Sequence, residues 1–199
     1  MGRFNEKNEG FNALGENVKI YPGAKLFGRE YISIGDNVII DDFVFIYATA
    51  PIFIGSYVHI ASFTSITGGG TVVLEDFSTL SSGVRVLSGS DDFLGGGLTN
   101  STIPARWRSV TRSFVHIGKH AIIGANSVVL PGVRVQTGTA VGAGSVVNKT
   151  LDAWGVYAGS PARRLKERPS QTILESAQAI QDEGLLNPLL PSRFEHLLG

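Results

Sequence analysis

Few side chains in this sequence can do chemistry, and many of them fall in one stretch. It begins Ser88-Gly89-Ser90-Asp91-Asp92-Phe93-Leu94-Gly95-Gly96-Gly97-Leu98-Thr99-Asn100 and continues through Pro104-Ala105-Arg106-Trp107-Arg108 to Arg112. A carboxylate such as Asp92 can orient a nucleophile or accept a proton, and Trp107 with Arg106, Arg108 and Arg112 can grip an anionic, partly aromatic ligand. Ser82 offers a hydroxyl and His59 an imidazole able to position a substrate or relay a proton; each also has a plain reading as a solvated or interfacial polar group. Arg163, Arg164, Lys166 and Arg168 form the densest basic cluster, suited to phosphates or simply to solubility. The four histidines are His59, His116, His120 and His196, and there is no cysteine. Thiolate zinc sites, disulfides and cysteine nucleophiles are therefore excluded. A three-histidine zinc site is not expected, because His59 is distant in sequence from His116 and His120, which read as surface or interface residues. Thr67-Gly68-Gly69-Gly70 lacks the lysine and following helix of a phosphate loop.

The elements that must hold these groups are set by a repeat. Leu14, Ile20, Leu26 and Ile32 are spaced by six, as are Ile34, Ile40, Ile46 and Ile52, then Ile54, Ile60, Ile66 and Val72, then Leu74, Leu80 and Val86. Each set starts 20 residues after the last, and the rhythm resumes as Ile117, Ile123, Val129, Val135, Val141 and Val147 without the earlier two-residue insertion. A period of six fits neither a helix at about 3.6 nor a flat strand at about 2, so the chain must bend regularly. Glycines after the aliphatic residue (Gly15, Gly35, Gly55, Gly118) give a corner room. A second modest side chain four places on (Val18, Val38, Val58, Ala121) can also point inwards. Three short strands per coil make a triangular prism, and seven or so coils stacked at about 4.8 Å give a column on the order of 34 Å tall. Asp92 stands where Ile32, Ile52 and Val72 stood in earlier coils; it is either a buried acid with a task or a loop acid beyond the point where the coil opens.

Length and composition bound the rest. The 199 residues suit one domain with appendages, and 17 basic against 17 acidic residues give no broad field for nucleic acid or an anionic membrane. No apolar stretch approaches the roughly 18 residues needed to span a bilayer, so a cytoplasmic protein is expected. The division is an N-terminal cap over 1–13, the repeat over 14–168 with an inserted loop at 88–113, and a C-terminal helical extension over 169–199. In that extension Ile173, Leu174, Ala177 and Ile180 have helical spacing between Ser170 and Gly184, with further helix conceivable from Arg193 to Leu198. Phe43 and Phe63, beside an outward column of Lys19, Ile39, His59 and Thr79, leave apolar surface that wants a partner.

The hexads Ile34-Gly35-Asp36-Asn37-Val38-Ile39 and Val141-Gly142-Ala143-Gly144-Ser145-Val146 resemble those of the hexapeptide-repeat acyltransferase family over roughly residues 14–168. This resemblance implies an all-β, left-handed parallel β-helix, a homotrimer, and acyl-CoA bound between subunits as co-substrate; chain sterics alone favour right-handed crossovers. On the same basis Ala125, Ala143, Arg163, Arg164 and Lys166 become candidate coenzyme A contacts, the last three near the ending Trp154-Gly155-Val156-Tyr157-Ala158-Gly159-Ser160-Pro161-Ala162-Arg163. Val58-His59-Ile60, Ser65-Ile66-Thr67-Gly68-Gly69-Gly70 and the 88–104 run are similar to the nucleotide-linked 4-amino-4,6-dideoxyglucose N-acyltransferases of the viosamine and anthrose branch. In that frame Asp92, Ser82 and His59 are the catalytic candidates, and Asp91, Asn100 and Arg106 the substrate-binding ones.

Many sugar acetyltransferases of the family carry a histidine general base where this run lies, and here it is missing. An alcohol acceptor needs a base as it attacks, whereas a sugar amine is partly neutral near pH 7 and already nucleophilic. The expected activity is acyl transfer from acetyl-CoA or another short acyl-CoA to the amine of a nucleotide sugar. An O-acetyltransferase of a polysaccharide or small-molecule hydroxyl, and a non-catalytic trimeric scaffold, are the alternatives.

Overall fold

The structure, a computed structural model, describes residues 10–186. Part of the 1–13 cap, the Arg193–Leu198 segment and His196 lie outside those residues. The chain winds as a parallel β-solenoid of three faces. The first face stacks Ala13–Leu14, Ile32–Ile34, Ile52–Ile54, Thr71–Leu74, Phe114–Ile117 and Val133–Val135 in that order. The second stacks Lys19–Ile20, Ile39–Ile40, His59–Ile60, Thr79–Leu80, Ile122–Ile123, Ala140–Val141 and Gly155–Gly159, then ends on an antiparallel edge strand, Ala162–Glu167. The third stacks Lys25–Phe27, Phe45–Tyr47, Ser65–Thr67, Arg85–Leu87, Val128–Val129 and Val146–Val147.

The hexad aliphatics are the core. Ile34 pairs with Ile54, Ile54 with Leu74, Leu74 with Ile117 and Ile117 with Val135, so like side chains stack on like through the middle of the prism. Ile32, Ile40, Ile46, Ile60, Ile66, Leu80 and Ile123 are likewise fully buried, each burial favouring the folded chain by roughly 1.5–3 kcal/mol. Because Leu74 pairs directly with Ile117, the prism continues as though residues 88–113 were absent. Val115, not Asp92, follows Val72 in the stacked core.

The faces meet at three edges. At the first edge, between first and second faces, Asn17, Asn37, Tyr57, Phe77, His120, Gly138 and Trp154 all have positive φ. Their side chains stack along the edge: Asn17 Nδ2 donates to Asn37 Oδ1 (2.7 Å), and Tyr57, Phe77 and His120 follow at ring separations of 5.2 and 5.1 Å. Gly138 interrupts the series, and Trp154 folds into the space a side chain there would take, bringing its ring 6.2 Å from that of His120.

The C-terminal helix Gln171–Asp182, formed where Ile173, Leu174, Ala177 and Ile180 have helical spacing, lies against Phe77 and His120 of this ladder, a placement the spacing did not indicate. Ile173, Ala177 and Ile180 line a cavity of about 330 Å³ shared with Phe77, His120 and Arg168, and Leu174 turns to solvent. Arg168 ties the chain to the edge by donating to the carbonyls of His120 (2.8 Å) and Gly138 (2.9 Å), and Tyr57 Oη donates to Leu185 O (2.7 Å) beyond the helix. Gly184, at φ 70, turns the chain after the last helical residues.

Candidate active site

The second edge, between second and third faces, places one residue of each coil in a column. Gly83 N donates to Ser62 O (2.9 Å), Asn126 N to Ser82 O (2.9 Å) and Gly144 N to Ala125 O (2.8 Å), so Ser62, Ser82, Ala125 and Ala143 lie one above another. Beside them runs a second left-handed column of Phe43, Phe63, Gly83, Asn126 and Gly144. Phe43 and Phe63 stack at 5.1 Å and stay exposed, 62% and 58%. Above them the bulk disappears. A side chain at Gly83 would overlap Asn126 Oδ1, whereas one at Gly144 would meet nothing within 4 Å. The edge therefore passes from an aromatic wall to an open step at the coils carrying Ala125 and Ala143.

His59 lies on the second face, paired with Thr79 of the next coil and close to this edge. Its Nε2 is 3.0 Å from Asp41 Oδ2. Asp41 follows Ile40 as His59 precedes Ile60, so the register contained this pairing although neither residue type announces it.

Residues 88–113 leave the prism at the third edge. Two glycines of the preceding coil make the space: side chains at Gly68 and Gly70 would collide with the backbone of Ser88, Gly89 and Ser113. Ser88 Oγ donates to Thr67 O (3.0 Å) and accepts from Gly70 N (2.9 Å). Gly89–Ser90 and Thr111–Arg112 then pair antiparallel as a stem. Beyond it Arg108 Nη2 donates to Asp91 Oδ1 at 2.8 Å, and Asn100 N to Asp91 Oδ2 at 3.4 Å. The Arg108 guanidinium holds the Asp91 carboxyl below the usual carboxylate range, against some burial. Asp92 caps its own turn, accepting from Leu94 N (3.0 Å) and Gly96 N, and these amides hold its pKa low as well. It is an ionised carboxylate with lone pairs to spare. Arg106 lies over the exposed Trp107 ring at 5.6 Å, while the Arg108 side chain, paired with Asp91, is only 18% exposed.

Ser82, Ala125 and Ala143 thus share one edge, with His59 on the adjoining face. Asp91, Asp92, Asn100 and Arg106 hang from another edge, across the strand Arg85–Leu87. Arg163, Arg164 and Lys166 are exposed on the edge strand of the second face, where Arg164 pairs with Glu167 at 2.6 Å, and Arg168 has left the cluster for the first edge. His116 and His120 are partly buried within the chain: His116 bonds Glu75 with only 12% of its side chain exposed, and His120 sits in the aromatic stack. Among the described residues no group of three or more histidines, aspartates or glutamates could hold a metal, and no helix is long and apolar enough to cross a membrane.

Residues 114–149 match the family described as bacterial transferase hexapeptide (six repeats). Over 170 residues the chain is 42% identical to the dTDP-4-amino-4,6-dideoxy-D-glucose acyltransferase of Escherichia coli, covering 85% of this chain and 88% of that one. The chain belongs to the hexapeptide-repeat acyltransferases. A second Escherichia coli (strain K12) relative of these acyltransferases, a putative lipopolysaccharide biosynthesis O-acetyl transferase, is 32% identical over 84% of this chain and 78% of its own. Among solved structures, a serine-to-cysteine mutant of AntD, an N-acyltransferase from Bacillus cereus, superposes with a TM-score of 0.83 at 38% identity, covering 88% of this chain and 94% of that one; it was solved with dTDP-4-amino-4,6-dideoxyglucose and coenzyme A. AntD with dTDP and 3-hydroxybutyryl-CoA superposes with a TM-score of 0.82, again at 38% identity, over 88% of this chain and 93% of that one.

Proposed function

We propose that this protein transfers a short acyl group from coenzyme A to the amine of dTDP-4-amino-4,6-dideoxyglucose. The observation that carries the reading is the likeness over most of both chains to two N-acylating or nucleotide-sugar enzymes, one of them solved with that sugar and coenzyme A. The neutral amine attacks the thioester carbonyl, a C–N bond forms, the C–S bond breaks, and the amine's proton ends on the departing thiolate sulfur. Asp92 accepts a hydrogen bond from the amine and orients it, Ser82 and His59 fix the sugar hydroxyls or relay the proton, and proximity supplies much of the rate. The AntD variants that were solved carry substitutions at a serine and an aspartate ten positions apart, the separation of Ser82 and Asp92 here, which supports this pair. Asn100 and Arg106 reach for the nucleotide sugar, and Ala125, Ala143, Arg163, Arg164 and Lys166 for coenzyme A.

The working unit in this reading is a homotrimer in the cytoplasm. The helix occupies the first edge, and the exposed Ile39, Phe43, Phe45 and Phe63 lie on or beside the second, so assembly there would bring one copy's loop to another's Ser82 edge. Light scattering should give three chains per particle; a stable monomer at micromolar concentration overturns the shared site. The deciding assay offers acetyl-CoA and 3-hydroxybutyryl-CoA with dTDP-amino sugars and with alcohol acceptors, since the second Escherichia coli relative is named for O-acetylation. Turnover on amines alone supports the proposal, and turnover on alcohols alone refutes it.

A further inference from the structure

Two carboxylates stand side by side at the start of the loop, and the proposed reaction needs one. Asp91 and Asp92 are neighbours in sequence, yet their carboxyls have different surroundings. Asp92 accepts from amides of its own turn, those of Leu94 and Gly96 with Gly95 and Gly97 beside them, and no cation is among these contacts. Asp91 is paired with Arg108 at 2.8 Å, with 31% and 18% of the two side chains exposed. The pairing also crosses the loop. Leu98 N donates to Trp107 O (2.9 Å), and Gly97 passes so close to Ser109 that a Cβ there would lie 2.8 Å from its amide nitrogen. The two arms are therefore already joined by backbone contacts and by the stem. Since those contacts already close the loop, the distinctive contribution of the pair is the sign and place of its charges.

We infer that Arg108 is a positioning residue that neutralises Asp91, leaving Asp92 as the single carboxylate presented to the sugar amine. The inference rests on the N-acylation reading above. A substrate amine near two unpaired carboxylates is stabilised as the ammonium ion, which cannot attack a thioester, and it is drawn towards the wrong oxygen. Arg108 removes both effects at once: it cancels the Asp91 charge and fixes that side chain away from the amine, so that in this reading Asp91 is not the substrate contact expected from the sequence.

The experiment is a pH–rate profile on the full-length protein with acyl-CoA and the dTDP-amino sugar, for the parent, Arg108→Met and the double variant Arg108→Met/Asp91→Asn. In Arg108→Met the unpaired Asp91 should shift the rising limb to higher pH and lower kcat by roughly 10- to 100-fold, as misplacement of a reacting group does, with the KM for acyl-CoA unchanged. The double variant carries neither charge, and its limb should return to that of the parent. Loss of a purely structural brace would move stability and leave the limb where it was. The inference is overturned if Arg108→Met keeps the parent limb, or if the double variant keeps the shifted one; should Arg108→Met fail to fold, Arg108→Gln, which also loses the charge, should show the shifted limb and Arg108→Lys, which retains it, the parent limb, and a parent limb in Arg108→Gln overturns the inference. A parent that acylates no amine sinks the functional reading and this inference together, whereas an active parent with an unmoved limb sinks the inference alone.

Discussion

The first and second edges of the prism have the same backbone and opposite fates. Both place a residue with positive φ in most coils, a conformation that disfavours a Cβ by about 1–2 kcal/mol. At the first edge those positions carry asparagines, then Tyr57, Phe77, His120 and Trp154, which stack on one another and are roofed by a helix. At the second edge they carry Phe43 and Phe63, then Gly83, Asn126 and Gly144, and the surface opens. The backbone conformation is common to both, so the side chain chosen at each corner decides whether an edge is built up for packing or pared back to admit a ligand. Substitutions should accordingly cost stability at the first edge and activity at the second.

The largest expected effect tests the loop that the proposed assembly brings to the open edge. Asp92→Asn keeps the shape of the carboxylate and loses its charge, and kcat/KM should fall by a factor on the order of 10 to 1000. His59→Ala should fall less, because an amine can lose its proton without a dedicated base, and neither variant should move Tm by more than a few degrees. If His59→Ala abolishes turnover while Asp92→Asn works normally, His59 is the base and the orienting role of Asp92 is wrong.

A smaller effect compares the edges directly with one chemical change. Gly138 has φ 69 and Gly144 has φ 68, but a Cβ at 138 collides with the Trp154 ring while one at 144 meets nothing within 4 Å. Gly144→Ala should lose about 1 kcal/mol from backbone strain alone, and Gly138→Ala about 2–4 kcal/mol, since Trp154 must also leave the stack. Denaturant melts measure both. Equal losses would mean that Trp154 is not held by the missing side chain at 138. Activity at 25 °C should survive in Gly138→Ala.

The repeat made the prism legible, because an inward position recurs at a fixed offset and burying it admits few other folds. The edge columns were legible for the same reason: Ser82 follows Leu80 by two positions, as Ala125 follows Ile123 and Ala143 follows Val141. The aromatic ladder also sits at a constant offset, three after Ile54, Leu74, Ile117 and Leu151. It was hidden because His120 reads as a surface group unless the coils on either side of the loop are joined. The loop itself has no period. Nothing in the string of residues could pair Arg108 with Asp91 rather than with a ligand, since that contact depends on how the arms cross.

The smallest effect is a pH dependence that belongs to the covered edge alone. Burial beneath the helix, aided by the nearby charges of Lys119 and Arg168 and opposed by those of Asp76 and Glu75, pushes the His120 imidazole below its ordinary value of 6.5. An unfolded chain, with the ordinary value, then binds more protons than the folded one at pH between the two values. Stability is full above about pH 6.5, declines as pH falls from there to the depressed value, and levels off below it. Asp91 and Asp92 do not intrude on this window, because their lowered values fall below 3.8. His120→Phe should preserve the stack, as Phe77 already holds the same φ one coil away (61 against 60), while removing the titrating group. The fall in Tm between about pH 7.5 and pH 5.5 should therefore shrink in His120→Phe; an undiminished fall would show that the helix does not keep His120 neutral, and that the first edge is less fully covered than its packing implies.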